Sequence, residues 1–194
     1  MSDKILYGYL SLFFAVLSGA PYLLSVLARK TKPHIFTHVI WGLVAAIAAA
    51  AQYAGHAGPG AWAAGLSALF SLATAALAST HGEKTITRSD WAAFVAGLGI
   101  IPIWYYTNEP LTATILATLI DGFAYYPTFR KSYAKPREEM IFSYVVSNAK
   151  HTASLFAMVE YSATTLLYPL VLFTLNAALI VMLALRRARV RPRS

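Results

Sequence analysis

Asp121 and Lys150 are the two residues of this chain whose type and placement call for chemistry. Asp121 lies eleven residues after Pro110 and nine before Arg130, inside a long apolar stretch. Lys150 stands ten residues from both Met140 and Glu160, in the next stretch. At about 1.5 Å of helical rise per residue, each sits roughly 13 to 16 Å from either end of its stretch. An ionised side chain at the middle of a bilayer costs at least ~2.5 to 3.5 kcal/mol, which makes such a group a functional candidate by default. Equal depth on consecutive stretches predicts a direct ion pair in at least one state, each charge neutralising the other. A static pair serves stability alone, whereas one that opens can take a carboxylate, a zwitterion or a proton.

Helical spacing gives this pair company. Thr114, Thr118, Asp121 and Tyr125 share one face, as do Ser143, Ser147, Lys150 and Ser154, with Tyr144, Asn148 and His151 beside them. Earlier stretches add His38, Trp41 and Gln52, and the last adds Asn176. Lipid does not tolerate such stripes, so they must face other helices or a watery cavity. Serines and threonines read as helix-to-helix glue. Asn148, His151 and Asn176 need several hydrogen-bond partners and read as functional. The candidate binding set is therefore Asp121, Lys150, Asn148, His151, Asn176, Trp41, His38 and Ser147.

Other chemistries find less support. His34 and His38 have the H-x-x-x-H spacing used for iron by membrane oxygenases, but His56, His81 and His151 are scattered singly, so no metal site is expected. The last stretch has no lysine for a retinal Schiff base, and zero cysteines exclude thiolate ligands and nucleophiles. Neither a glycine-rich phosphate loop nor a nucleophile, base and acid constellation is present. The expectation is a protein without cofactor that is not an enzyme.

The elements that must position these residues are apolar throughout. Hydrophobic residues make up 58% of the 194 and charged ones 12%, and the charges cluster between apolar runs. Runs of about 20 residues are what a helix needs to cross hydrocarbon. Seven are expected, and the chain fits onto itself under one offset: 5–27 onto 111–133, 35–55 onto 141–161, and 59–80 onto 165–186. Pro21 then meets Pro127, Ile35 and Phe36 meet Ile141 and Phe142, and Leu66 and Leu69 meet Leu172 and Leu175. The unpaired run 90–106 lies between the copies. The fold expected is an all-α integral membrane protein of seven helices arranged three plus one plus three. Residues 1–80 form the first triplet, 81–109 a loop and linker helix, 110–186 the second triplet and 187–194 a basic tail. An odd linker lets both copies insert the same way up. The small residues before Pro21 resemble a signal-peptide cleavage site, but the same stretch recurs internally at 111–133, so 1–27 reads as the first span. Trp62, Trp104, Tyr105, Tyr106 and Tyr168 read as an interfacial aromatic belt.

A net charge of +8 raises nucleic acid as a partner, and the distribution of the charge argues against it. With the N-terminus outside, fourteen of the 16 basic residues fall on the cytoplasmic side; Lys4 and Lys150 are the others. The partners expected are a lipid bilayer, with the tail from Arg186 to Arg193 on anionic headgroups, and a small-molecule substrate. A homo-oligomer is compatible with this. The location expected is the cell membrane, N-terminus outside and C-terminus cytoplasmic.

Pro21 and Pro127 occupy matching places near the basic ends of their runs, where each acts either as a hinge or as a helix terminator. Gly19-Ala20-Pro21-Tyr22 followed by Arg29-Lys30, and Tyr125-Tyr126-Pro127-Thr128 followed by Arg130-Lys131, resemble the PQ-loop motif, with Tyr22 and Thr128 standing where the family has glutamine. Two such motifs in a three-one-three chain resemble the SWEET and PQ-loop transporters, a group that includes lysosomal amino-acid exporters and the KDEL receptor. The resemblance implies a carrier that moves a small polar solute (amino acid, organic acid or sugar-like) by alternating access, with Asp121 available for proton linkage. It also implies a substrate-contacting Asn on the third helix of each triplet; Asn176 fits, and its mate is Phe70. A non-transporting receptor or scaffold, and more distantly a membrane enzyme, are the alternatives.

Overall fold

The computed structural model describes residues 2–107 and 109–189. These form seven α-helices: α1 (Ser2–Leu27), α2 (Ile35–Ala54), α3 (Trp62–His81), α4 (Arg88–Thr107), α5 (Pro110–Ala134), α6 (Ile141–Ala157) and α7 (Ala163–Arg189). Short 3-10 turns occupy Gly58–Ala61 and Pro136–Glu138. α5 opens on Pro110 after the extended Glu109, a place where a missing N–H leaves no bond unmade. α2 stops at Gly55, whose N–H returns to the Ala51 carbonyl. α2 and α6 begin at Ile35 and Ile141, which the repeat offset superimposes.

Helix neighbours follow one rule. In the first triplet α3 packs on both α1 and α2, while among the described residues the backbones of α1 and α2 stay apart and the side chains of Tyr22 and His38 meet across the gap; in the second, α7 packs on α5 and α6 in the same way. Between triplets, α1 lies on α6 and α2 on α5. Exchanging α1 with α5, α2 with α6 and α3 with α7 turns this set of neighbours into itself. α4 stands outside the exchange, packed on α5 and more lightly on α2. Arg130 clasps Asp90 of α4 through two hydrogen bonds of 3.0 and 2.6 Å, and Phe36 stacks on Phe94 with centroids 4.3 Å apart.

Among the described residues four segments are long and apolar enough to cross a membrane: Asp3–Leu27, Ile35–Ala54, Gly58–His81 and Ala163–Arg189. Over their described residues α4, α5 and α6 do not reach that mark. α6 has 17 residues and carries Asn148, Lys150 and His151, and α5 holds Asp121 at its centre and Arg130 and Lys131 near its end. The polar stripes themselves lower the apolarity of these helices. Large apolar side chains such as Leu6, Phe13, Leu69 and Val181 stand exposed, a surface that suits lipid better than water.

Several expectations change in detail. α6 ends at Ala157 rather than 161, because Met158 turns extended. α7 runs through Arg189, so Arg187 and Arg189 are helical; Arg191 and Arg193 lie outside the described residues. Arg186 and Arg187 also serve the fold, donating to the carbonyls of Tyr133, Pro136 and Glu139 and closing the corner between α5 and α6. Tyr168 is not a belt residue, being only 4% exposed inside the bundle. Pro21 and Pro127 do not end their helices, which continue to Leu27 and Ala134. The side chains of Trp104 and Tyr105 lie outside the described residues.

Candidate functional site

A cavity of about 120 Å³ lies where the two triplets meet. By water-sized measure this is room for several waters or one small solute. α5 and α6 supply its charges, because the four-three-four spacing of each polar stripe turns one face inward. Asp121 and Lys150 both line it and are both buried. In this arrangement of the helices they do not pair directly with each other, the contact expected in at least one state. The Lys150 ammonium instead donates to Ser67 Oγ at 2.8 Å, across from α6 to α3 of the other triplet. Neither carboxylate oxygen of Asp121 closes a hydrogen bond, although the Tyr168 hydroxyl is near enough to interact with it and Lys150 acts at longer range. An acceptor-only group left in that condition carries a desolvation penalty that a donor from a ligand would relieve.

Of the remaining candidates, His38, Trp41, Ser147, His151 and Asn176 line the same cavity. Asn148 does not. It follows Ser147, which faces inward, and one helical residue is a turn of about 100°, enough to carry its side chain to the edge of the face. Asn176 accepts from the Tyr125 hydroxyl at 2.6 Å, joining α7 to α5. The repeat mates of Tyr125 and Asn176 are Gly19 and Phe70, and the same place in the first triplet is filled by the Phe70 ring lying on Gly19, where a Cβ would come within 2.5 Å of the ring. One copy therefore has a polar bond where the other has an apolar contact.

Contacts between triplets flank the cavity at both ends. At the basic end Glu139 is a buried hub. It takes Lys131 at 2.7 Å and the hydroxyls of Tyr22 and Tyr144, each at 3.2 Å. Nearby, Thr37 donates to the Ala124 carbonyl at 2.9 Å and receives the Thr128 hydroxyl at 3.0 Å. His38 lies 3.4 Å from the Tyr22 hydroxyl and edge-on to Trp41. At the opposite end Ser154 donates to the Gly60 carbonyl at 2.6 Å, and the Val159 N–H donates to the Ala57 carbonyl at 3.2 Å.

The two histidines of the H-x-x-x-H pair part company. His38 faces the cavity, while His34, before α2, lies 3.4 Å from Asp90. Burial holds the His34 imidazole below its usual range, against the opposite pull of Asp90. In the loop after α3, burial works to raise the Glu83 carboxyl, but hydrogen bonds from Lys135 and Thr85 outweigh it and hold the group down to about 2.

Sequence reasoning missed Ser67 and Glu139. Ser67 is one of several serines and threonines in α3 and gave no signal. Glu139 sits in a short loop among charges and reads as solvent-facing, yet it is 4% exposed. Tyr168 had a signal, since a hydroxyl-bearing ring can serve a buried carboxylate as well as an interface. Compared with known proteins, the chain matches no family model, no curated protein and no solved structure.

Proposed function

We propose that this chain is an integral membrane carrier that moves a small polar solute by alternating access, the two triplets rocking about the central cavity, with the N-terminus outside and the C-terminus in the cytoplasm. The observation that carries this reading is the cavity between triplets, where a buried carboxylate lacks a hydrogen bond and a buried ammonium is held by one serine. Buried charges without full partners are costly in any static protein, and a solute that visits the site accounts for them. The contact groups at the two ends join opposite triplets, so either can part while the other holds, which is what alternating access requires. Pro21 and Pro127 are suited to be the flexing points. Each removes one bond to the carbonyl four residues earlier within a continuing helix.

Solute counterflow into proteoliposomes containing the purified chain is the direct test. Exchange above protein-free liposomes, lost in Asp121→Asn, is the expected result. Binding without any exchange would instead make the chain a receptor built on the same site.

A further inference from the structure

We infer that the solute held between the triplets is a small zwitterion, its ammonium seated on Asp121 and its carboxylate on Lys150. This rests on the carrier reading and narrows it. The first argument is charge. The cavity wall holds one carboxylate and one ammonium, both buried and not paired with each other. A solute with a single charge would satisfy one wall group and leave the other uncompensated, whereas a zwitterion compensates both and adds no net charge. The second argument is the inventory of donors and acceptors. Asp121 is acceptor-only and closes no hydrogen bond, with the Tyr168 hydroxyl as a near neighbour, so it can still take an ammonium with three N–H groups; Lys150 spends one donor on Ser67 and has two left for a carboxylate.

Two further features agree. The Tyr125 ring stands four residues on from Asp121 on the same face and packs against Trp41 at 4.8 Å, giving a cation an aromatic wall beside the carboxylate. The volume of about 120 Å³ limits the solute to a short skeleton. The repeat mates of Asp121 and Lys150 are Ala15 and Val44, so the site has one polarity and takes one solute. A neutral polyol could bond to either wall group but would cancel neither charge.

The test uses the full chain purified in detergent, with melting temperature followed against concentration for glycine, alanine, 4-aminobutanoate and glycine betaine. Three controls accompany them: propionate, which is alanine without its amine; ethylamine, which is alanine without its carboxylate; and erythritol. At least one zwitterion is expected to stabilise the chain at concentrations about tenfold or more below those at which the controls act. Asp121→Asn should turn the preference toward propionate, and Lys150→Gln toward ethylamine. Ser67→Ala keeps both charges, so it serves if those variants fail to fold; it should weaken zwitterions and propionate more than ethylamine. Strongest stabilisation by erythritol or by a singly charged probe, no response to any zwitterion, or equal weakening of all probes in the variants would overturn the inference. Counterflow separates the two readings: erythritol exchanged and zwitterions ignored leaves a carrier of another substrate class, while a zwitterion bound but not exchanged leaves the site and removes the carrier.

Discussion

The Tyr22 hydroxyl donates to Glu139 Oε2 at 3.2 Å, joining the end of α1 in the first triplet to the loop before α6 in the second. Opening of the cavity toward the basic end must break this bond, while the Lys131–Glu139 pair can stay whole inside the second triplet. A hydrogen bond to a charged group is worth about 1.5 to 3 kcal/mol, or roughly ten- to a hundredfold in an open-to-closed ratio. Tyr22→Phe is therefore expected to speed labelling of a cavity cysteine, Ser18→Cys, by a membrane-impermeant reagent applied from the cytoplasmic side. The chain has no cysteine of its own, so the label reports this site alone. Unchanged labelling would show that the bond does not gate access.

Asp121→Asn and Lys150→Met are each expected to abolish zwitterion binding and flux and to lower the melting temperature, because each leaves an opposite charge buried alone. The double variant restores neutrality and should regain much of the stability. Its flux should remain absent, which a purely structural pair would not predict. Thermal melts and counterflow on the same four preparations decide between the two outcomes.

Pro127→Ala restores the missing N–H within α5, which already runs on to Ala134. The fold should survive or gain slightly. The expected change is in the balance of states, seen as altered labelling of cavity cysteines from one side against the other, with Pro21→Ala acting likewise in α1. Equal accessibility in both variants would reduce the prolines to local bends without a role in the cycle.

Gly60 marks the opposite end of the cavity. A Cβ there would lie 2.6 Å from Met158 Cγ and 3.1 Å from its Cα, so the two triplets touch through backbone with no room for a methyl group. Gly60→Ala should cost about 1 to 3 kcal/mol by overpacking. Adding Met158→Ala removes only the side-chain clash, so a partial recovery of melting temperature is expected; full recovery would mean that the backbone approach does not matter.

Glu83 gives the chain a pH dependence in the loop after α3. Its folded carboxyl is held at about 2 against an ordinary value of 4.5, so the stability it contributes is present above the ordinary value and is lost as pH falls toward 2. The gap in melting temperature between the native chain and Glu83→Gln should be widest above pH 4.5 and shrink between 4.5 and about 2. A gap that does not change with pH would show that the Lys135–Glu83 contact at 2.7 Å carries no charge-dependent stability.

What lies along each helix is written in the local order of residues. Apolar runs, the proline pair and the four-three-four polar stripes are local patterns, and helical geometry converts them directly into length, depth and face. Asp121 and Lys150 could be found in this way because mid-depth on a helix is a matter of counting. A local pattern still left one residue astray: Asn148, set beside the stripe and counted with the binding residues, does not line the cavity that its neighbour Ser147 lines. Which residue stands opposite which comes from the packing of the helices. Lys150 faces Ser67 across 83 positions of chain and Tyr22 faces Glu139 across 117. Such pairings depend on the rotation and axial shift of helices from different triplets, quantities set by the packing of many side chains at once. The same packing kept Asp121 and Lys150 from pairing directly, since equal depth on consecutive helices does not make them neighbours: among the described residues α5 and α6 do not pack on each other, and α7 stands between them.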